Sequence, residues 1–361
     1  MTTNAEYGIE GHTFPRGWFV IAEASELGKE PLPLRFFGQD FALYRGESGR
    51  VVLLDAYCSH MGTHLAGASS ASLAIEGKQI EGDSIRCPYH GWRFNPDGVL
   101  DNIPYHEGPC PAKGNLRSYP VREVMGCIMM WHDPEFGEPE FEPPHLKEWD
   151  DPQWVNWGPL DHLGKLDIHP IEILDNMADA RHLGPTHGAP CEYFENEWNG
   201  HIYLQRQGGF HQGYNAMLRS RTWYTGPGIL LSQQVFGDVK TIELIANTPV
   251  DEGTVQVWHG ALYQAPTAQI TDEDRAAARE VQAGALAAFS SDFEIWRNKR
   301  PATKILGVPT DGRFGKGRSW YKQFYATRAN ASAMHARLNG QAHLGDLPPP
   351  PPEHIEFEAT F

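Results

Sequence analysis

The stretches CSHMG at residues 58–62 and CPYHGW at residues 87–92 each bring one cysteine and one histidine close together. The chain has only five cysteines among its 361 residues, so two such pairings indicate a common purpose. Thiolates and imidazoles are the side chains that bind transition metals most readily. The two loops therefore predict one metal centre whose four ligands are Cys58, His60, Cys87 and His90.

Two kinds of metal centre use two cysteines and two histidines. Structural zinc sites usually pair cysteine with cysteine and histidine with histidine in each half-site. In a Rieske [2Fe–2S] cluster, two cysteines bind one iron and two histidines bind the other. Because each loop here supplies one of each, the pattern favours the Rieske cluster, with zinc as the alternative. Gly62 and Gly91 fit this interpretation, since backbone amides must approach the cluster sulfurs closely.

A second group of candidate ligands lies in DNMADARHLGPTH, residues 175–187. The overlapping stretch IEILDNMADARHL, residues 171–183, has the composition of a helix, which is predicted to stop at Gly184-Pro185 because proline cannot continue a helix interior. His187 follows this break, where the chain can turn back. Two histidines and one carboxylate are the ligands of non-haem Fe(II) oxygenases. The residues that would share one face of the helix, spaced by three, are Asn176, Asp179 and His182.

The missing carboxylate is predicted on a long helix that begins after the capping residue Thr271. Asp292 falls in the middle of the apolar stripe of this helix. A buried carboxylate needs a partner, which is a metal or a buried arginine, unless Asp292 lies at the edge of the helix. The stripe at helical spacing consists of Val281, Ala285, Ala288, Phe289, Asp292 and Trp296.

Composition and charge limit the classes of partner. Hydrophobic residues make up 40% of the chain, charged residues 21%, and the formal net charge is −16. So acidic a surface repels nucleic acid and anionic lipid. No segment approaches the roughly 20 apolar residues that span a bilayer, and the N-terminus lacks the pattern of a signal peptide. Scattered cysteines without a secretion signal predict reduced thiols and a cytoplasmic location.

The order of the segments predicts an α+β chain. Short apolar runs separated by Gly, Asn and Asp predict an all-β domain over residues 14–135. The proline-rich and acidic stretch 136–153 is interpreted as a linker. A mixed domain is expected over 154–345, and residues 346–361 form a Pro-rich tail that opens with an extended proline run.

Together these motifs resemble the Rieske non-haem iron oxygenases. The steroid-acting branch, with the oxygenase component of 3-ketosteroid 9α-hydroxylase and the cholesterol 7-desaturases, is the most similar. The resemblance implies an N-terminal Rieske domain, then a helix-grip catalytic domain of antiparallel sheet and helices, in a head-to-tail homotrimer. The interval between His60 and Cys87 is longer than in that family, and residues 66–78 are expected to be a surface insertion. The stretches that carry the resemblance are RGWF, LLDAYCSHMG, CPYHGWRF, DNMADARH, DFEIWRNK and SWYKQFY.

The resemblance also implies the role of each site residue. One [2Fe–2S] cluster per subunit would be held by Cys58, His60, Cys87 and His90. One mononuclear Fe(II) per subunit would be held by His182, His187 and Asp292. Asn176 and Asp179 would be catalytic, with Asp179 bridging a cluster histidine (His90 by resemblance) of a neighbouring subunit to the iron ligand His182.

The function that this resemblance implies is that of a terminal oxygenase. It would use O₂ and electrons from a ferredoxin or a flavin/iron–sulfur reductase, which alone uses NAD(P)H, since no G-x-G-x-x-G fingerprint occurs here. The expected reaction is hydroxylation of a steroid-like apolar substrate, with sterol desaturation or O-demethylation of an aromatic as alternatives. A Rieske electron carrier and a zinc-stabilised binding protein are the non-enzyme alternatives. Side chains that would be core or pocket wall are Met177, Phe210, Trp223, Trp258, Phe293 and Trp320.

Overall fold

The computed structural model describes residues 2–352 and 354, and all elements below belong to these residues. They form two compact units. The smaller unit comprises Val20–His132 and Glu138–Phe141, and the larger unit comprises the other described residues. Sheets dominate both units and helices are concentrated in the larger one, so the predicted α+β class is confirmed. The predicted domain limits at 14–135, 136–153 and 154–345 stay predictions.

The smaller unit is built from short antiparallel strands. They form three sheets with the orders β1-β11-β10, β2-β3-β4-β9 and β5-β6-β7-β8. The strands are β1 (Gly17–Glu23), β2 (Leu32–Phe36), β3 (Gln39–Arg45), β4 (Val51–Asp55), β5 (Ile80–Glu81), β6 (Ser84–Arg86), β7 (Arg93–Phe94), β8 (Leu100–Asn102), β9 (Ser118–Tyr119), β10 (Val121–Val124) and β11 (Cys127–His132); a short helix, α1 (Ser72–Ile75), lies between β4 and β5.

One apolar core of the smaller unit includes both candidate cysteines. Cys58 and Cys87 are 2% and 1% exposed and belong to the same buried cluster as Leu54 and Phe94. Packing of the sheets therefore fixes the roots of both loops. The predicted insertion lies between them and carries the exposed helix α1, and a hydrogen bond from the Gln79 amide to the carbonyl of Leu65 closes its base.

The larger unit contains the long strands and helices. Its helices are α2 (Pro170–Leu174), α3 (Leu183–His187), α4 (Asp272–Asn298), α5 (Phe314–Lys322) and α6 (Arg328–Leu338). Its strands are β12 (Trp154–Val155), β13 (Asp161–Leu166), β14 (Tyr193–Asn199), β15 (Ile202–His211), β16 (Ala216–Thr225), β17 (Ile229–Phe236), β18 (Val239–Asp251), β19 (Thr254–Gln264) and β20 (Gly340–His343). Short 3-10 turns occur in the larger unit at Asn4–Tyr7, Lys147–Trp149, Asp175–Met177 and Gln323–Tyr325, and in the smaller unit at Ala24–Glu26 and Ala112–Gly114.

Consecutive hairpins build one antiparallel sheet in the larger unit. Its order is β12-β19-β18-β17-β16-β15-β14-β20, with β13 also paired to β19. The hairpin between β14 and β15 turns at Gly200 and His201, which aligns Asn199 with Ile202. Such two-residue turns fix the register of the strands that they join, and so decide which side chains share a face.

The long helix α4 begins as the sequence predicts. The Thr271 hydroxyl accepts a hydrogen bond from the N–H of Asp274, and the Asp274 carboxylate accepts one from the N–H of Thr271, which is a capping box. The predicted stripe is buried at Phe289, Asp292 and Trp296. Ala288, however, is exposed, and Phe293 takes its place in the buried face, because that face turns gradually around the helix.

The predicted helix through DNMADARH is wrong. The chain forms α2 to Leu174, a 3-10 turn at Asp175–Met177, a non-helical stretch, and then α3. Pro185 lies inside α3 rather than ending a helix, because it is the third residue there and the first turn needs no backbone N–H from it. Asn176, Asp179 and His182 therefore do not share one face of a continuous helix.

Two further predictions concern segments at the surface. Within the described residues, no helix is both long and apolar enough to cross a membrane. In the Pro-rich tail predicted at 346–361, prolines 349–352 lie beside Glu195 and Arg206 of the larger unit. Residues 353 and 355–361 of that tail lie outside the described residues.

Candidate metal centres

The two cysteine loops of the smaller unit have the same backbone geometry. In one, the N–H of Cys58 donates to the carbonyl of Thr63, and in the other that of Cys87 donates to Trp92. The N–H of Gly62 and that of Gly91 donate back to the cysteine carbonyls, each at 2.9 Å. Both glycines have a positive φ, +73° and +76°, which residues with a side chain adopt only at a cost. Each loop thus presents a cysteine and a histidine from a tight, glycine-dependent turn.

The side chains of these loops divide into a buried pair and a surface pair. The thiols of Cys58 and Cys87 are buried, whereas His60 is exposed and His90 is partly exposed. The two imidazole rings lie 4.6 Å apart between centroids. The ring of Trp92 stacks on His60 at 4.4 Å and limits its rotation, a contact that the sequence analysis did not identify. Two thiols on the inside and two imidazoles on the outside suit a cluster with one iron of each kind.

The pKa values of the two thiols shift in opposite directions because the thiols are hydrogen-bonded to each other. The pKa of Cys87 is lowered, first because it accepts a hydrogen bond from the Cys58 thiol and then because the backbone N–H groups of Tyr89 and His90 point at its sulfur; burial opposes this. The pKa of Cys58 is raised, because its proton is shared with Cys87 and because it is buried. Amides aimed at cysteine sulfurs are what a bound iron–sulfur cluster requires.

In the larger unit, three predicted ligands from two distant segments converge. His182, His187 and Asp292 each offer a ligand atom, and these atoms lie within 4.8 Å of one another. Nε2 of His187 is 3.3 Å from Oδ2 of Asp292, and the rings of His182 and His187 lie 5.3 Å apart. Asp292 is 7% exposed, so its carboxylate is removed from water. Of the alternatives for Asp292, the structure favours a shared site with two histidines over the edge of the helix.

The orientation of His182 is fixed by its own loop. Its Nδ1 lies 2.5 Å from the carbonyl oxygen of Asp179, so this nitrogen carries a proton and donates. Nε2 is then the nitrogen with a free lone pair. A second hydrogen bond that sets the tautomer in this way is typical of histidines that bind metals. The residues of this group thus fit a metal ion with two imidazoles and one carboxylate.

Asp179 explains why the chain leaves the helical path before His182. One oxygen of its carboxylate accepts hydrogen bonds from the backbone N–H groups of Arg181, at 3.0 Å, and of His182, at 3.2 Å. Aspartate that binds nearby N–H groups in this way competes with the helix. The side chain is 32% exposed, beside His182. Asp179 is therefore both a local cap and an accessible carboxylate at the candidate iron centre.

Two side chains from the sheet hold the turn that precedes Asp179. The Asn196 amide donates to the carbonyl of Met177 at 2.7 Å. The Gln205 amide donates to the carbonyls of Met177, at 3.1 Å, and Asn176, at 3.2 Å. Asn176 thus contributes its backbone carbonyl to the site. Asn196 and Gln205 are not among the residues predicted from the sequence, although the Asn199-Gly200 turn signal would have aligned them as a cross-strand pair.

Models of two protein families match this chain. The model described as 3-ketosteroid 9alpha-hydroxylase C-terminal domain matches residues 130–325, more than half of the chain. The chain belongs to the 3-ketosteroid 9α-hydroxylase family. The model described as Rieske [2Fe-2S] domain matches residues 17–120, which contain all four predicted cluster ligands.

Curated proteins support the same family. A 3-ketosteroid-9-alpha-monooxygenase oxygenase component from Rhodococcus rhodochrous is 30% identical over 86% of this chain and 81% of its own length. The corresponding protein of Mycobacterium tuberculosis (strain ATCC 25618 / H37Rv) is 28% identical over 88% of this chain and 83% of its own. A cholesterol 7-desaturase from Caenorhabditis elegans is 26% identical over 91% and 81%.

Solved structures share the fold at lower identity. NdmA of Pseudomonas putida CBB5 with caffeine is 16% identical, with a TM-score of 0.68 over 91% of this chain and 96% of that one. Dicamba monooxygenase with non-heme iron and dicamba is 17% identical, with a TM-score of 0.58 over 90% and 96%. At this identity the likeness concerns the fold alone.

These findings confirm three predictions made from the sequence. Membership of the Rieske oxygenases and their steroid-acting branch is confirmed by both family models and the curated relatives. The chain is an oxidoreductase of the Rieske monooxygenase class, and its N-terminal part is a Rieske [2Fe-2S] domain. A second candidate metal centre is present in the larger unit.

Proposed function

We propose that this chain is the terminal oxygenase of a multicomponent monooxygenase that hydroxylates a steroid-like polycyclic substrate. The observation that carries the proposal is the convergence of His182, His187 and Asp292 within 4.8 Å in a chain that also has a Rieske domain. Membership of the 3-ketosteroid 9α-hydroxylase family supports the steroid-like class of substrate.

The ligands of both metal centres are part of this proposal. Cys58, Cys87, His60 and His90 would hold a [2Fe–2S] cluster, and the matched loops with amides aimed at the sulfurs support this. His182, His187 and Asp292 would hold one Fe(II). Iron of this kind, when bound, supplies the O₂-dependent oxidation of a C–H bond.

The chain's own residues prepare the iron centre. The carbonyl of Asp179 holds Nδ1–H of His182, so that Nε2 is available to a metal. Asn176 and Asp179 are proposed as catalytic residues. Asn176 is held through its carbonyl by Gln205, and the partly exposed carboxylate of Asp179 lies beside His182, where it can couple this centre to a second redox group.

Partners and assembly follow from the same proposal. Electrons would come from a ferredoxin or a flavin/iron–sulfur reductase that uses NAD(P)H, as the relatives named oxygenase components suggest by their names. A homotrimer is proposed in which Asp179 meets the cluster of a neighbouring subunit; the exposure of Asp179 and His60 is compatible with it. The free state of all five cysteines is compatible with the proposed cytoplasmic location.

A sterol desaturase is the second candidate function, because a cholesterol 7-desaturase is among the relatives that match most of the chain. The two reactions share the oxidant and differ in the fate of the substrate after the first hydrogen is removed. Hydroxylation adds one oxygen atom to the product, whereas desaturation removes two hydrogen atoms.

The deciding experiment is turnover of a panel of 3-ketosteroids, sterols and methoxy-aromatics. The holoenzyme is supplied with a surrogate reductase, NADH and ¹⁸O₂, and products are read by mass spectrometry. A steroid that gains one labelled oxygen supports the proposal, and loss of two hydrogens supports the desaturase. Demethylation of the aromatics alone, or no turnover of any steroid or sterol, would contradict the proposed substrate class.

A further inference from the structure

Polar side chains form a continuous row across one face of the large sheet. Register pairs Asn196 with Gln205, Gln205 with Thr222, Thr222 with Ser232, and Ser232 with Glu243. Each of these five residues is at most 8% exposed. Because directly paired residues point to the same face, we call Asn196, Gln205, Thr222, Ser232 and Glu243 the polar row.

Both ends of the polar row are linked to the segments that carry the candidate iron ligands. At one end, the Asn196 and Gln205 amides hold the carbonyls of the turn before Asp179. At the other end the link is indirect: Glu243 accepts a hydrogen bond from His259, and the ring of His259 lies 6.3 Å from that of Phe289 on α4, between centroids. Phe289 is three residues, one helical turn, before Asp292. The middle of the polar row therefore lies opposite the interval between those segments.

Thr222 and Ser232 form a hydroxyl pair with one hydrogen to spare. Their oxygens lie 2.7 Å apart, so one hydroxyl donates to the other. The Ser232 oxygen also accepts a hydrogen bond from the Gln234 amide at 3.3 Å. Each hydroxyl has a single hydrogen. Whether Thr222 donates to Ser232 or Ser232 donates to Thr222, the hydroxyl that accepts keeps its own hydrogen free. The pair can donate one hydrogen bond to another molecule.

Glu243 supplies acceptors next to that donor. Its Oε1 accepts from Nε2 of His259 at 2.9 Å and its Oε2 from the Gln234 amide at 2.6 Å. Nδ1 of His259 is 2.8 Å from Asp161, so each nitrogen of this fully buried ring faces a carboxylate. Burial alone would lower the pKa of His259, but the bonds to Glu243 and Asp161 raise it above its usual value. Both oxygens of the Glu243 carboxylate accept a hydrogen bond, and a carboxylate can accept about four, of which two are used here.

Glu243 and the hydroxyl pair together present a donor beside a charged acceptor. A hydroxyl group satisfies both, because it can accept from the pair and donate to the carboxylate. A ketone can accept from the hydroxyl pair but has no hydrogen to donate to Glu243, and its oxygen lone pairs are repelled by the carboxylate. Resting on the proposed function, we infer that the substrate presents a hydroxyl group, not a ketone, to Thr222, Ser232 and Glu243.

The alternation of the strands places the polar row and two of the tryptophans predicted from the sequence on opposite faces of the sheet. Trp223 follows Thr222 and Trp258 precedes His259, so both tryptophans point to the opposite face of the sheet. The sequence analysis named these tryptophans as core or pocket wall for an apolar substrate. The face that carries the polar row also carries the buried side chains of Tyr203, Tyr224, Leu230 and Ile245. The hydroxyl, amide and carboxylate groups of the row therefore lie among apolar side chains, where they are costly to bury unless they are hydrogen-bonded.

The test compares two steroids that share one skeleton and differ only in a ketone or an alcohol at a single carbon. Binding to the holoenzyme is measured by isothermal titration calorimetry, for pairs with the group at either end of the skeleton. We expect at least one pair in which the alcohol binds roughly tenfold or more tightly, because a hydrogen bond to a charged group is among the stronger ones. Equal binding, or preference for the ketone in every pair, overturns the inference.

Variants connect the preference to the named groups. Glu243→Gln replaces a pure acceptor by an amide that can donate to a ketone, so the preference for the alcohol should fall to near unity. The double variant Thr222→Val, Ser232→Ala removes both hydroxyls and with them the donor, and should weaken alcohol binding about tenfold even if Glu243→Gln does not fold. The control is Gln233→Leu, which changes the same strand on the opposite face and should leave both affinities unaltered.

The outcomes separate this inference from the proposed function. If ketone and alcohol are bound and oxidised equally well, or if both variants keep the wild-type preference, the function stands and the inference fails. If no steroid of the panel binds or is oxidised, the proposed function fails and the inference with it.

Discussion

The two candidate metal-binding regions of this chain are built in different ways. The cluster loops are two copies of one short turn, in which backbone hydrogen bonds and a glycine at positive φ set the geometry within five residues. The iron-ligand region draws Asp292 from a helix more than 100 positions after His182, and side chains from the sheet hold its backbone. The first region is thus locally determined, and the second depends on the whole larger unit.

Removal of one candidate ligand from each region should have the largest effect, because each variant should lose one metal centre and keep the other. Cys87→Ala is expected to lose acid-labile sulfide and the visible cluster spectrum. His182→Ala should keep both but lose the mononuclear iron, since the two sites share no ligand. Turnover should fall to background in each variant. Metal and sulfide analysis with a visible spectrum checks this, and a His182→Ala protein with full turnover would indicate an electron carrier instead of an oxygenase.

Loss of the hydrogen bonds from the sheet to the backbone before Asp179 should have the next largest effect. The double variant Asn196→Leu, Gln205→Leu leaves the buried carbonyl of Met177 without the two amides that hold it. An unpaired buried carbonyl costs roughly 1–3 kcal/mol, and loss of outer contacts typically weakens metal binding about 10- to 100-fold. Iron affinity should fall within that range while the cluster spectrum is unaltered. Gln233→Leu, on the other face of the sheet, is the matched control.

Substitution of Asp179 should have a smaller effect, on stability. Two different substitutions should separate its role as a local cap from its role as a carboxylate at the candidate iron centre. Asp179→Ala removes the acceptor for the N–H groups of Arg181 and His182 and should lower the free energy of unfolding by about 1 kcal/mol. Asp179→Asn keeps an acceptor oxygen and should unfold like the wild type. Turnover should fall in both, because neither carries the carboxylate charge. Thermal unfolding and steady-state turnover are the measurements; full turnover of the asparagine variant would leave Asp179 with the capping role alone.

Shortening the insertion should have the smallest effect. Residues 67–77 lie between Leu65 and Gln79, which are already joined by a hydrogen bond, and α1 within them buries none of its residues. Replacing them with a short Gly-Ser turn shortens the loop two- to threefold and changes the loop-closure cost by about 1 kcal/mol or less. The cluster spectrum and the unfolding midpoint should stay close to the wild type, and a lost cluster would show that the insertion supports the loops.

Sequence reasoning succeeded where the physical cause is local. The mixed order of cysteine and histidine in two short loops indicated the Rieske domain, and the capping box at Thr271 located the start of α4. It failed at the segment before His182, because helical spacing does not show that Asp179 binds backbone N–H groups or that amides from the sheet hold two carbonyls. Those contacts join residues that are distant in the chain.

The sequence by itself determined the types of the candidate ligands, the two loops that carry cysteine and histidine, and the presence of a long helix with Asp292 on its buried face. These features depend on residue chemistry and on interactions within a few positions. Only the tertiary structure decided that His182 and His187 meet Asp292, and that Thr222, Ser232 and Glu243 share a face beside them. The reason is that strand register and long-range packing place these side chains together, and neither is written in the spacing of the ligands.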